Sequence, residues 1–191
     1  ALDNIISQYK PEIVGICTTC LSETIGDDVN LFLNEYKKSR ADRDLPKFAS
    51  ASTPSYQGSH MEGYHAAVKS LVVGLVEEAP KGDHINVFPG FVSPADLRYL
   101  KEVLDDFGLP YVMVPDYSES LDNPTWSQYN RIPEGGVSIK KIATCAAAKA
   151  SLDLGQVFNH GTVSSGTAAE YLEAEFGVER VALPLPVGVV N

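Results

Sequence analysis

Three cysteines carry most of the reactive chemistry in this chain, and two of them stand at a suggestive spacing, Cys17-Thr18-Thr19-Cys20. A thiolate can serve as nucleophile, redox partner or soft metal ligand. A Cys-x-x-Cys between a strand and a helix therefore suits either a dithiol that cycles with its disulfide or part of a metal site. The metal signal is weak by itself, because no second Cys pair or His stands nearby at ligand spacing. Cys17 has a further reading as a buried strand residue, free cysteine being so often interior. Cys145, one turn after Ile142 in a helical pattern, reads as a small core residue. Three is too few and too odd a number for a disulfide framework, so a reducing cytoplasm is the expected compartment.

The remaining constellations are poorer. His60 and His65 are five apart, about 140° around a helix, and read as capping or surface residues. His84 and His160 stand alone. No Gly-x-Gly-x-x-Gly or Walker loop follows the first strand, and Gly58, Gly63 and Gly74 are scattered through helical contexts, which argues against a dinucleotide site. The absence of Gly-x-Ser-x-Gly removes the commonest hydrolase reading.

The elements that must position Cys20 alternate strand and helix. Residues 13–16 form an apolar, β-branched run suited to a strand covered on both faces. Cys20 falls at the entry of the following helix, where free amides and the dipole favour a thiolate. Ile25, Val29, Phe32, Leu33 and Tyr36 mark one face of that helix, with Asp27 and Asp28 near its start and Lys37, Lys38 and Arg40 near its end. A short strand over 47–52 closes on Thr53-Pro54-Ser55. Ser59 and Glu62 cap the next helix, whose core face is Tyr64, Val68, Leu71, Val72, Leu75 and Val76. Pro80-Lys81-Gly82-Asp83 breaks it and marks the expected boundary between a lobe of residues 1–80 and one of 81–191.

Strand 85–88 leads through Pro89-Gly90 to Ser93-Pro94-Ala95-Asp96, an N-cap with proline at the first helical position. Leu97, Leu100, Leu104 and Phe107 line that helix, Gly108 ends it, and 111–114 is a fourth strand. Residues 116–136 form a long irregular segment carrying Tyr117, Trp126 and Tyr129, read either as a packed lid or as a functional loop. A helix over 138–150, a strand over 152–158, a helix capped by Thr167 and Glu170 and stopped by Gly177, and a strand over 181–187 complete the chain. Pro184 and Pro186 put that last strand at an edge. The alternation predicts an α/β, Rossmann-like parallel sheet flanked by helices, in one domain or two lobes. In such sheets the working end is at the strands' carboxyl ends, where Cys20, Thr53-Pro54-Ser55 and Pro89-Gly90 all fall.

Composition sets broad limits. The chain has 191 residues, 44% hydrophobic and 21% charged, enough for a real core. Its net charge of -10 argues against a general nucleic-acid binder. No apolar run approaches the roughly 18–20 residues that would span a bilayer. Neither a signal peptide nor an initiator Met is present, and the chain reads as an excised piece of a longer protein.

Thr18-Thr19-Cys20 continuing into Leu21-Ser22-Glu23-Thr24-Ile25-Gly26-Asp27-Asp28 resembles the nitrogenase component 1 family, the molybdenum-iron proteins. Thr53-Pro54-Ser55-Tyr56-Gln57-Gly58-Ser59-His60 points to the β subunit of that family. Asn86-Val87-Phe88-Pro89-Gly90, Pro115-Asp116, Gly135-Gly136 and Leu185-Pro186-Val187-Gly188 extend the likeness across the whole chain. The resemblance implies an internal portion of a subunit built from three Rossmann-like domains, acting in a cytoplasmic, nitrogen-fixing oxidoreductase. It matches Cys20 to a thiolate ligand of the P-cluster, the iron–sulfur centre between the α and β subunits. Ser55 matches the serine that ligates iron through oxygen when the cluster is oxidised. Asp27 and Asp28 match a Gly-Asp-Asp motif on the side facing the docked iron protein, with helix-dipole matching as the plainer alternative.

The same resemblance implies partners in the α subunit, within a heterotetramer, and the iron protein, but neither nucleic acid nor membrane. Further cysteine ligands belong upstream and on the α subunit, which also holds the N2-reducing cofactor. No catalytic residue is therefore expected in this chain, and the isolated piece is expected to carry no cofactor and no activity. Cys17 occupies a position usually filled by a small hydroxyl residue and is not assigned as a ligand. The homologous cofactor-assembly scaffold and, more remotely, a Cys-x-x-Cys thiol oxidoreductase remain as alternatives. The stretch separates molybdenum from vanadium or iron-only relatives poorly.

Overall fold

The computed structural model describes residues 1–56, 58–122, 135–154 and 166–185. The chain divides into two compact units, Ala1–Leu75 and Val76–Asn191. Both are parallel sheet with flanking helices, the α/β architecture expected from the alternation.

In the first unit, β1 (Ile13–Cys17) and β2 (Lys47–Ala51) pair in parallel with Cys17 opposite Ala51. A helix without counterpart in the sequence reading, α1 (Leu2–Tyr9), precedes them and ends at Lys10 with φ 46. Eight residues are too few to form a stable helix alone. Leu2 and Ile6 pack against the cluster of Val14, Leu33 and Phe48, and Asp3 is gripped from α3 (Val29–Lys38). Arg40, just past that helix, donates from Nε and Nη2 to the two Asp3 oxygens at 2.8 and 2.6 Å, and the Tyr36 hydroxyl adds a bond of 2.9 Å.

The single helix expected after β1 is two. Cys20–Ile25 forms α2, which stops at Gly26 in the left-handed region at φ 77, and Asp28 then caps α3 through the Leu31 amide at 2.9 Å. Glycine at a helix C-terminus outweighed the shared apolar stripe. β1 is also less covered than expected, with Val14 buried and Gly15 and Cys17 exposed. The α4 helix (His60–Leu75) buries His65, Val68, Val72 and Leu75. His65 is thus an interior residue and not the surface or capping residue anticipated, because its position one turn before Val68 and two before Val72 puts it on the buried face. Gly74 is not idle: a Cβ there would stand 2.3 Å from the Phe48 carbonyl oxygen, so its bare Cα permits the close approach of α4 to β2.

The second unit holds β3 (Ile85–Phe88), β4 (Tyr111–Met113), β5 (Ala150–Leu154) and β6 (Glu179–Leu183), all parallel, in the order β4-β3-β5-β6. Ser93 caps α5 (Pro94–Asp106) as anticipated, and Leu97, Leu100 and Leu104 join Val87, Met113 and Leu154 in its core. Each such leucine contributes roughly 1.5–3 kcal/mol by leaving water. The helix expected over 138–150 is shorter. It runs as α6 (Ile139–Ala143) into a 3-10 turn, Thr144–Ala147, and frees residues from Ala150 onward for β5. Cys145 is fully buried there, as expected, and burial pushes its thiol up to about 12. Thr167 caps α7 (Ala168–Phe176) and Gly177 ends it. β6 stands at the sheet's edge among the described residues, with Pro184 just beyond it.

The start of the irregular segment is tied to α5: Lys101 pairs with Asp116 at 2.7 Å, Arg98 with Asp122 at 2.7 Å, and the Tyr117 hydroxyl donates to the Val92 carbonyl at 2.6 Å. Trp126 and Tyr129 in the same segment, His160, and the closing residues from Pro186 onward lie outside the described residues.

A candidate metal-ligand site at the ends of β1 and β2

Parallel pairing of β1 and β2 carries both strands out of the sheet at the same end, so the residues after each strand meet. The Thr18 amide extends the ladder to the Ala51 carbonyl at 3.1 Å. Thr53 then donates its amide to Thr18 Oγ1 at 2.9 Å and its hydroxyl to the Thr18 carbonyl at 2.7 Å. Two residues further along each chain stand Cys20 and Ser55. The structure brings them together: Cys20 Sγ lies 2.8 Å from Ser55 Oγ and accepts the Ser55 amide at 3.0 Å.

Cys20 is the first residue of α2, and Thr19 and Ser22 form the capping box in front of it. A helix of six residues carries little dipole. The Ser55 hydroxyl and then the Ser55 amide are the main causes that hold the Cys20 thiol below its usual range, with smaller help from the amides of Cys20 and Tyr56. Sequence reasoning placed the anion-stabilising agent in the helix; the neighbouring loop supplies it. The pair is accessible, with Leu21 and Tyr56 exposed beside it.

Cys17 is also exposed, against its reading as a buried strand residue. Asp27 and Asp28 are not part of the Cys20–Ser55 contact. They line a recess of about 320 Å³ together with Glu23, Asn30, Ser50 and Ser52, where Asp28 also serves as the α3 cap.

Four residues to which sequence reasoning gave no role of their own organise this end of the sheet. Glu23 accepts the Ser52 hydroxyl at 2.6 Å and the Thr18 hydroxyl at 2.5 Å, bonds that hold its carboxyl below the ordinary range. Thr18 and Thr53 complete the lattice. A signal was present in the matched pair Thr18-x-Cys20 and Thr53-x-Ser55, which repeats one spacing at both strand exits.

The donor set is one soft sulfur and one harder oxygen, side by side and accessible. That suits one edge of an iron–sulfur centre, where thiolate is the usual ligand and oxygen serves an electron-poor iron. Among the described residues no three His, Cys, Asp or Glu side chains converge on a point, so a multi-iron group would need further ligands from outside them. No helix among those residues is long and apolar enough to cross a membrane.

Comparison with known proteins bears on the family and the fold. The family model described as nitrogenase component 1 type oxidoreductase matches residues 1–191. The nitrogenase molybdenum-iron protein beta chain of Clostridium pasteurianum is 37% identical over 190 residues, covering 99% of this chain and 40% of that protein. The nitrogenase iron-molybdenum cofactor biosynthesis protein NifN of a Nostoc species is 28% identical over 180 residues, covering 93% of this chain and 39% of its own length. A solved structure titled nitrogenase Cp1 at pH 6.5 superposes with a TM-score of 0.86 at 36% identity, over 98% of this chain and 40% of its own. The chain thus spans about 40% of the length of these relatives. With the family model matched along its entire length and a beta chain this similar, the chain belongs to the nitrogenase component 1 type oxidoreductases.

Proposed function

We propose that this chain is part of the β-type subunit of a nitrogenase component 1 protein and that Cys20 and Ser55 are ligands to the P-cluster, shared with an α subunit. The observation that carries the reading is the 2.8 Å approach of Cys20 Sγ to Ser55 Oγ across two strand exits. Bound there, the cluster would supply one-electron relay between the iron protein and the N2-reducing cofactor of the α subunit. This chain's own residues hold and orient. Ser55 directs a hydroxyl and an amide at the sulfur and favours its anion. Thr18 and Thr53 fix the two exits, and Thr19 starts α2 at the ligand. The lobe of residues 1–80 is the cluster-bearing part, and Leu21 and Tyr56 belong to the surface that the α subunit would cover. Asp27 and Asp28, exposed at the recess, are the positions assigned to docking of the iron protein. A cytoplasmic location accompanies this reading.

The test uses the full-length subunit assembled with its partner under anaerobic conditions. Cys20→Ala is expected to lower the iron content and abolish the electron paramagnetic resonance signal of the oxidised cluster. Unchanged iron and an unchanged signal would overturn the assignment.

A cofactor-assembly scaffold is the second reading, supported by the similarity to NifN. It predicts a complex that holds a transferable precursor cluster and does not reduce N2, whereas the first reading predicts turnover with the iron protein. A thiol oxidoreductase has less support, because Ser55 engages the Cys20 sulfur.

A further inference from the structure

We propose that Glu23 is the positioning residue that sets the separation of Cys20 Sγ and Ser55 Oγ. The cluster reading supplies the purpose of this role, while its geometry stands independently. Thr18 leaves β1, Ser52 leaves β2, and Glu23 lies on α2 one turn beyond Cys20. The hydroxyls of Thr18 and Ser52 converge on the same Glu23 oxygen, Oε1.

The direction of every proton in this array is fixed. An ionised carboxylate only accepts, so both hydroxyls must donate to it. Thr18 Oγ1, its proton committed to Glu23, is left to accept the Thr53 amide at 2.9 Å. The chain from Thr53 through Thr18 to Glu23, joined there by Ser52, therefore ties the first turn of α2 to both strand exits. Charge-assisted bonds of this kind are roughly twice as strong as neutral ones.

Stabilising the N-terminus of α2 does not require Glu23. The amides there are served by the Thr19–Ser22 capping box. The carboxylate instead faces out of its own helix, toward the segment that leads to Ser55. Without it, Cys20 would remain on a capped helix and Ser55 on its loop, joined by their own contact and by the Thr53–Thr18 bonds but without the carboxylate that ties the helix to both strand exits.

The experiment measures closure of an engineered disulfide in the full-length chain. In a Cys17→Ser, Ser55→Cys background, glutathione disulfide takes two electrons and two protons from the thiols at positions 20 and 55 and leaves as two glutathione thiols. Disulfide geometry tolerates little error in placement. The ring-closing step, normalised to the first attack of Cys20 on glutathione disulfide, reports how well the two positions are held.

Glu23→Ala is expected to slow closure by roughly tenfold or more through loss of both charge-assisted bonds. Glu23→Gln, whose amide oxygen can accept both hydroxyls, should stay within about threefold of the parent. Should Glu23→Ala fail to fold, Ser52→Ala removes one of the two donors and is expected to slow closure by a smaller factor. Equal closure in the parent and these variants, or a Glu23→Gln defect as large as that of Glu23→Ala, would overturn the proposal. A parent in which the two thiols never join would also overturn it. The iron content of Cys20→Ala addresses the cluster reading separately, so either can fail while the other stands.

Discussion

Thr53 holds Thr18 twice, through its amide at 2.9 Å and its hydroxyl at 2.7 Å, and each threonine stands two residues before a member of the Cys20–Ser55 pair. This double bond between loops makes a local prediction. Thr53→Val keeps the shape and the amide bond but loses the hydroxyl that satisfies the Thr18 carbonyl. Urea unfolding of the full-length chain should show a loss of about 1 kcal/mol. No change would mean that the Thr53 hydroxyl bond adds nothing to the hold of the ladder and the remaining bonds on the two exits.

The cysteines should differ sharply in reactivity. Burial pushes the Cys145 thiol up to about 12, whereas Ser55 holds that of Cys20 low. In metal-free full-length protein at neutral pH, iodoacetamide should label Cys20 and leave Cys145 unmodified until denaturant is added. Mass mapping that found Cys145 labelled in the native protein would contradict its place in the core.

Two glycines of α4 should respond oppositely to alanine. At Gly74 the new Cβ would meet the Phe48 carbonyl oxygen at 2.3 Å, so α4 must move off β2. Because the clash is with backbone, that cost lies toward the upper part of the range for overpacking, about 1–3 kcal/mol, and exceeds the gain in helix propensity of about 0.5–1 kcal/mol. At Gly63 a Cβ meets nothing within 4 Å, and Gly63→Ala should stabilise by about 0.5–1 kcal/mol. Melting temperatures that moved in the same direction for both would contradict the packing of α4 on β2.

Asp3 supplies a dependence on pH. Its bonds to Arg40 and Tyr36 lower its pKa from 3.8 to about 2. A carboxylate depressed on folding stabilises the fold fully above its unfolded pKa and loses that contribution as pH falls through the folded value. Hydrogen exchange in α1 should therefore be faster in Asp3→Asn than in the parent at pH 6, with the gap narrowing below about pH 4. A gap independent of pH would contradict the role of the Asp3 charge, and no gap at any pH would assign the attachment of α1 to its apolar contacts with Val14 and Leu33.

Much of this was legible in the residues. Caps at Ser93 and Thr167, the stop at Gly177 and the leucines of α5 are local signals that formed where local physics put them, whereas Phe107, expected on the same face, falls at the helix C-cap and is exposed. The roles proposed for Cys20 and Ser55 rest on resemblance, and the parallel register of β1 on β2 explains why the two meet. Other features depended on partners distant in sequence. Leu2, Ile5, Ile6 and Tyr9 do repeat at helical spacing, but eight residues do not hold a helix until Asp3 finds Arg40, and Gly74 looks incidental until Phe48 is placed against it. The Glu23 lattice was hidden for the same reason, since its value lies in joining residues of two strands. The break at Gly26 was readable but was outvoted by an apolar stripe that runs past it.

Iron-edge anomalous diffraction from the full-length protein crystallised with its partner subunit tests the central claim most directly. The account predicts iron within bonding distance of Cys20 Sγ, with Ser55 Oγ joining it in oxidised crystals. A native protein carrying its metal elsewhere, with Cys20 still hydrogen-bonded to Ser55 and no iron beside either, would contradict it.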